Sequence, residues 1–205
     1  MRAARIALSL TALFSMVALV TAQTPAPAGA QRGRGRGRVT IQTMTLTTPW
    51  AAGGEIPLKY TQAGDEVSPA LSWTGVPETV ASFVLIVHDV SAPDRQGTGD
   101  RLHWMVWNIP GTARELLEGV PQGPQRADGT RQLSVSGPYY RGPAAPASGP
   151  PHVYLFELYA LDEMIAVPAV GAQGVTTEQT RAAVVEAMVG HIRGKAVTAG
   201  QFGRR

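Results

Sequence analysis

Cysteine is absent from this sequence. That excludes disulfides as a source of stability, and thiolates as metal ligands or nucleophiles. Charge is sparse as well. Asp, Glu, Lys and Arg make up 16% of the chain and apolar residues 44%, a balance that supports a sizeable core rather than global disorder. Only one long apolar run exists, Ile6 to Val20. At about 15 residues it is shorter than the roughly 20 that a helix needs to cross a bilayer. Gly (23) and Pro (16) are abundant, as expected of a chain with many turns and few long helices. The length, 205 residues, suits one domain with tails.

Acidic residues are missing from the first 38 positions, which hold six of the eighteen basic ones (Arg2, Arg5, Arg32, Arg34, Arg36, Arg38). The other twelve basic residues face all fifteen acidic ones, so the rest of the chain carries −3 against +3 overall. A broad basic surface for nucleic acid is therefore not expected. Residues 1–22 read as a secretory signal: Arg2 and Arg5, the apolar run, then Val20-Thr21-Ala22 as a small-residue cleavage site. The mature protein is expected in the periplasm or outside the cell. Residues 23–38, QTPAPAGAQRGRGRGR, form a Pro/Ala and Arg/Gly tether. It reads as a solvated linker, with weak contact to an anionic membrane surface as the alternative.

A domain spanning 39–205 follows, and its pattern is mainly β. Val39–Thr47 is rich in β-branched residues, and Ile56, Leu58 and Tyr60 alternate. Ser82–Asp89 is almost continuously apolar, as in a strand buried on both faces. Leu102–Ile109 and Val153–Leu161 are further strands, and Lys195–Phe202 reads as a short one. One helix is expected near the C-terminus. Thr176 and Gln179 form a capping box, Val185, Met188, Val189 and Ile192 a buried stripe, and Gly194 a stop.

Polar residues with chemical potential gather at strand ends. Asp89 ends an apolar strand, where an unpaired carboxylate would be costly. His103 lies within or at the start of a strand. His152 and Tyr154 stand two apart on another, so both face the same side. The loop around Gly142-Pro143 is stiff and able to bring backbone N–H groups close to an anion. Two imidazoles and a tyrosine hydroxyl can donate to one anion, with Asp89 fixing a ring's tautomer. His88 alternates away from Asp89 and is read as core or edge, and His191 as structural. Trp73, Trp104 and Trp107 are read as core and Trp50 as partly exposed. Asp89, His103 and His152 match a known metal-ligand set, but no close helical ligand pair supports one, and neither metal nor cofactor is expected. Ser91 and Ser136 lie near these segments without a G-x-S-x-G elbow, so no catalytic residue is expected, and a weak hydrolase is the remote alternative.

These segments resemble the phosphatidylethanolamine-binding protein family, in particular its bacterial Raf-kinase-inhibitor-like branch, over roughly residues 39–203. Asp65-Glu-Val-Ser-Pro-Ala-Leu-Ser-Trp73 looks like the family's SPxLxW segment. Asp89-Val-Ser-Ala-Pro93 stands against its D-P-D-A-P, and His103-Trp104 with Asn108-Ile-Pro110 against H-W and N-I-P. Tyr140-Arg-Gly-Pro143 with His152-Val-Tyr154 looks like G-Y-x-G-P and H-R-Y. Val90, Ser91, Tyr139, Ala144-Ala145-Pro146 and Val153 depart from the pattern. The resemblance implies two antiparallel sheets with a few peripheral helices. It also implies a small cavity for a phosphate- or carboxylate-bearing ligand such as phosphate or phosphoethanolamine. Asp89, His103 and His152 would line that cavity, and Pro93, Gly142, Pro143 and Tyr154 would complete it. The implied role is regulatory binding. The alternative is a protein that modulates a protease or sensor kinase through an exposed apolar rim at Tyr139, Tyr140 and Pro143.

Overall fold

A computed structural model describes residues 40–93, 99–171 and 174–203. The expected signal and tether lie outside these residues. Two sheets form the domain. The larger is built from β1 (Gln42–Thr43), β4 (Ser82–Pro93), β5 (Asp100–Pro110), β7 (Arg131–Leu133), β8 (His152–Leu161) and β9 (Ile192–Phe202), in the order β1-β9-β8-β4-β5-β7. The smaller holds β2 (Thr45–Thr47), β3 (Leu71–Thr74) and β6 (Glu115–Leu116), in the order β2-β3-β6. All pairings are antiparallel except the short β1–β9 contact at the edge.

β4 is apolar on both faces because it separates two cores. Phe83, Leu85 and Val87 point into the space between the sheets, with Trp73 from β3, Trp104 from β5 and Phe156 from β8. Val84 and Ile86 point the other way, under Ile165, Val167 and the helix α1 (Thr177–Ala187). Burying each such side chain contributes about 1.5–3 kcal/mol. The alternation sends Asp89 toward the inter-sheet side and His88 toward the helix side.

Two bulges shape β5. Opposite β4, the pair Val87↔Trp104 is followed by His88↔Leu102, which leaves His103 as the extra residue. Bulges of this kind re-aim side chains. The second, between Phe83↔Ile109 and Leu85↔Val106, contains Asn108 at φ +56°. Its buried amide donates to Ile165 O at 3.0 Å and accepts from Ile165 N at 3.0 Å, so a side chain does the work of a missing strand.

His88 is held beneath α1 by ions. Its Nδ1 meets Asp100, its Nε2 lies 3.1 Å from Glu157, Arg181 of α1 reaches Asp100 at 2.6 Å, and Lys195 reaches Glu157 at 2.6 Å. Burial pushes the imidazole toward neutrality, but the Glu157 and Asp100 carboxylates together outweigh it and raise its pKa above 6.5. The same contact with His88 draws Glu157 down to about 2, against its own desolvation.

Several expectations are corrected. Val39–Thr47 is not one strand: its described part divides into β1 and β2, which join different sheets. Ile56, Leu58 and Tyr60 do not form a strand, since Leu58–Tyr60 is a 3-10 turn that buries Ile56 and Tyr60 and exposes Leu58. Trp50 is buried, its Nε1 donating to Ala199 O at 3.2 Å. The capping box forms as expected, Thr176 Oγ1 accepting from Gln179 N at 3.2 Å. The buried stripe of α1 is Thr180 and Val184, continued by Met188 at the C-cap, whereas Val185 and Val189 face solvent. Ile192 opens β9 rather than extending the helix, and the turn uses Gly190 at φ +86° in place of Gly194. Gly194 instead sits inside β9, where a Cβ would come within 2.7 Å of Met44 Sδ. β9 is not a short strand but pairs with β8 along its length. His191 lies past the helix and beside Asp162, 3.0 Å away.

Two outcomes follow from these contacts. Asn108→Ala removes two buried hydrogen bonds and leaves a non-glycine residue in left-handed backbone. It is expected to cost about 2–4 kcal/mol in urea unfolding, and a loss within experimental error would contradict the bridging role. A histidine whose folded pKa is raised stabilises fully below its unfolded pKa and loses that contribution as pH rises through the folded one. His88→Gln is therefore expected to be less stable by about 2 kcal/mol at pH 5.5, with the gap closing by pH 9. A gap that stays constant across this range would show that the charge of His88 is immaterial.

Candidate functional site

Asp89 lies next to Tyr154 in the β4–β8 register, near the end of both strands, and is 2% exposed. Three donors bond its carboxylate. Oδ1 accepts from the backbone N–H of Ser91 at 2.9 Å and of Ala92 at 3.1 Å. Oδ2 lies 2.7 Å from His152 Nδ1. A carboxylate that only accepts is ionised. His152 must then carry its proton on Nδ1, and in the neutral ring Nε2 is left as a lone pair.

His103 reaches the same place from the bulge of β5. Its ring meets the edge of Tyr154 at 5.1 Å between centroids, at 89°. Its Nδ1 lies 2.8 Å from Arg141 O and 3.1 Å from Gly142 O. Carbonyl oxygens only accept, so the proton again sits on Nδ1. Nε2 is buried and, among the described residues, has no hydrogen-bond partner. Burial lowers the pKa of this ring; its hydrogen bond to Arg141 O and the charge of Asp89 oppose the shift without cancelling it. His103 is therefore neutral near pH 7.

The loop carrying Arg141, Gly142 and Pro143 is clasped rather than open. Glu66 holds Arg141 Nη1 at 3.0 Å and Gly142 N at 3.1 Å. Gln62 donates from Nε2 to Gly142 O at 2.6 Å and from its backbone N–H to Pro143 O at 3.0 Å. The Arg141 N–H donates to His103 O at 2.9 Å. Glycine is needed at 142 because a Cβ there would sit 2.7 Å from Tyr60 O.

The geometry brings Asp89, His103, His152 and Tyr154 together, and it revises what several of them do. Asp89 orients His152, while carbonyl groups orient His103. The Gly142 N–H is committed to Glu66 and Pro143 has none, so this loop positions His103 instead of offering donors to an anion. The Tyr154 hydroxyl accepts from the Ala144 N–H at 3.2 Å. Burial, then the charge of Asp89, raises its pKa, so it stays a neutral prop. Pro93 closes β4 opposite Asp100, and its side chain lies outside the described residues. Ser91 Oγ accepts from Val153 N at 2.9 Å, and Ser136 N donates to Ser134 Oγ at 3.2 Å. Sequence reasoning missed Glu66 and Gln62. The only signal was that Glu66 falls in the Asp65–Trp73 segment, which gave no hint that it crosses to residue 141. A cavity of about 390 Å³ opens elsewhere, between Ile109–Pro110 and the Glu115–Pro121 segment, and none of the four site residues lines it.

Known proteins place this site in context. The sequence model for phosphatidylethanolamine-binding protein matches residues 47–203. A protein of Methanothermobacter thermautotrophicus named UPF0098 is 39% identical over 153 residues, covering 74% of this chain and 92% of that one. A UPF0098 protein of Chlamydia pneumoniae is 35% identical, covering 77% and 96%. The crystal structure of a phosphatidylethanolamine-binding protein homolog from Chlamydia trachomatis superposes with a TM-score of 0.63 at 34% identity, over 78% of this chain and 97% of that one. The Escherichia coli protein YbcL, described as a member of the mammalian family, shares the fold at a TM-score of 0.62 and 24% identity, over 79% and 99%. With its sequence matched over most of the domain and its two sheets superposing on these structures, the chain belongs to the phosphatidylethanolamine-binding protein family.

Proposed function

We propose that this protein is exported and binds a small anionic ligand, phosphate- or carboxylate-bearing, between His103 and His152, with a regulatory rather than a catalytic role. The observation that carries the reading is that His152 bonds Asp89 while His103 packs edge-on against Tyr154, the neighbour of Asp89 in the β4–β8 register. Each ring is locked through Nδ1, so each is pre-set to meet a ligand with Nε2. Pre-orientation of this kind is wasteful for a merely structural histidine.

The alternative, modulation of a protein partner through the rim, asks for exposed apolar side chains at Tyr139, Tyr140 and Pro143. Tyr140 is buried with its hydroxyl on Tyr60 O at 2.8 Å, Pro143 is buried, and Tyr139 is half-buried. These observations favour a small ligand over a docked protein. Export rests on the Arg2, Arg5 and Ile6–Val20 pattern.

Isothermal titration with inorganic phosphate and with phosphoethanolamine checks the reading. Binding is expected to strengthen from pH 8 to pH 5. His152→Ala and His103→Ala should each weaken it by about tenfold or more at pH 6. Unchanged affinity in both variants, or no binding by the wild type at any pH, would reject the site.

A further inference from the structure

The small sheet ends at β6, and the outer side of that strand is open. Leu71 pairs with Leu116 and Ser72 with Glu115. The same register continues to Trp73, whose N–H donates to Arg114 O at 2.9 Å. Bonded and non-bonded pairs alternate along an antiparallel ladder. Arg114 and Leu116 therefore turn their main-chain groups toward β3, and Glu115 and Leu117 turn theirs outward. Among the described residues, no backbone partner is found for the N–H or C=O of Glu115 or Leu117.

The space beside this edge is the cavity of about 390 Å³, a size within the range of ligand pockets, about 300–1,000 Å³. It lies between the Glu115–Pro121 segment and the Arg126–Thr130 turn that leads into β7. Ile109 and Thr130 line it and are 1% and 2% exposed. Both walls are held in place. On one side the Tyr60 hydroxyl donates to Glu118 at 2.7 Å, the Val120 N–H donates to Ser68 Oγ at 2.8 Å, and Gln132 Nε2 donates to Pro121 O at 2.6 Å. On the other, the Arg126 N–H donates to Thr130 O at 2.8 Å and the Thr130 N–H to Asp128 Oδ1 at 3.0 Å. The cleft is thus formed before anything enters it.

We propose that the free edge of β6 receives an extended peptide segment of another protein, added antiparallel as a fourth strand of the small sheet. Main-chain bonds to Glu115 and Leu117 hold such a strand, and its alternate side chains are read separately. Leu116 is half-buried against the core between the sheets, so the peptide residue beside it turns into the cleft, over Ile109 and Thr130. That position calls for an apolar side chain. Glu115 is exposed and Leu117 is 70% exposed, so the residues opposite them face outward.

Charge decides the outward position. The cleft is lined by Glu115, Glu118 and Asp128 against Arg126. Lys59 meets Glu118 at 2.9 Å and Arg126 lies 3.8 Å from Asp128, whereas Glu115 forms no ion pair among the described residues. A Lys or Arg directly across from Glu115 completes an opposite-charge pair. The occupant is therefore a segment that alternates basic and apolar residues. This surface is separate from the proposed anion site, since Asp89, His103, His152 and Tyr154 do not line the cleft.

The probe is the peptide acetyl-Lys-Val-Lys-Val-Lys-amide, titrated into the 15N-labelled protein and followed by NMR. The largest shifts are expected at the amides of Glu115 and Leu117. Glu115→Lys, an exposed substitution, should weaken binding about fivefold, and the peptide with Glu in place of Lys should bind more weakly than the original. Two further peptides need no change to the protein. In an antiparallel addition the Lys residues opposite Glu115 and Leu117 turn their N–H groups toward β6, and the Val residues turn theirs away. N-methylation of the central Lys should therefore cost about tenfold, and N-methylation of the Val residues should cost almost nothing. Equal effects of the two methylations, or shifts that avoid Glu115 and Leu117, would overturn the proposal. So would the same two amides shifting on concentrating the protein without peptide, which would make a second copy the occupant.

Discussion

A carboxylate buried at the end of an apolar strand has to be surrounded by donors, and Asp89 is that carboxylate. Two backbone N–H groups and one imidazole bond it, and Tyr154 stands beside it across the β4–β8 pairing. Each of those commitments fixes something else. The Ser91 and Ala92 N–H bonds form where the β4–β5 register shifts between Asp89 and Pro93, and Ser91 Oγ there accepts from Val153 N of β8. The bond from His152 orients that ring. Tyr154 beside it supplies an aromatic wall against which His103 packs.

The same strand carries an opposite arrangement on its other face. One residue before Asp89, His88 is buried among carboxylates, which raise its pKa, rather than among donors. Arg181 connects this cluster to α1 through Asp100, the residue paired with Pro93 across the β4–β5 end. Two adjacent residues thus anchor one strand end from both sides, one as an acceptor among donors and the other as a donor among acceptors. The site therefore sits at a point where the two cores and the helix are tied together. Rigid support of this kind keeps two imidazoles in fixed tautomers without a ligand to hold them.

Much of this was legible in the sequence. The almost continuous apolar run Ser82–Asp89 identified a strand buried on both faces, and the alternation at its end separated His88 from Asp89. The two-residue spacing of His152 and Tyr154 placed them on one face. The ordered motifs indicated the fold and grouped the four side chains. What escaped has physical causes. The stripe of α1 runs through Thr180, whose hydroxyl is satisfied by Thr176 O, so counting apolar residues alone shifted the buried face by one position. The Ile56–Tyr60 alternation matched a strand only because one turn of 3-10 helix and its approach also bury alternate residues. Glu66 and Gln62 act across about eighty positions on the Arg141–Pro143 loop, a relation no local pattern encodes. The direction of each hydrogen bond was the costliest omission. Residue types suggested rings that donate, and only their partners show that the donating nitrogens are already engaged.

The account stands on those tautomers, and they are directly observable. Long-range proton–nitrogen NMR spectra of histidine-labelled protein at pH 7.5 report which nitrogen of each ring is protonated. Both His103 and His152 are expected to show Nδ1–H with an unprotonated Nε2, and addition of phosphoethanolamine should move the Nε2 resonances toward the hydrogen-bonded position. An Nε2–H tautomer in either ring, or Nε2 signals that ignore the ligand, would contradict the account.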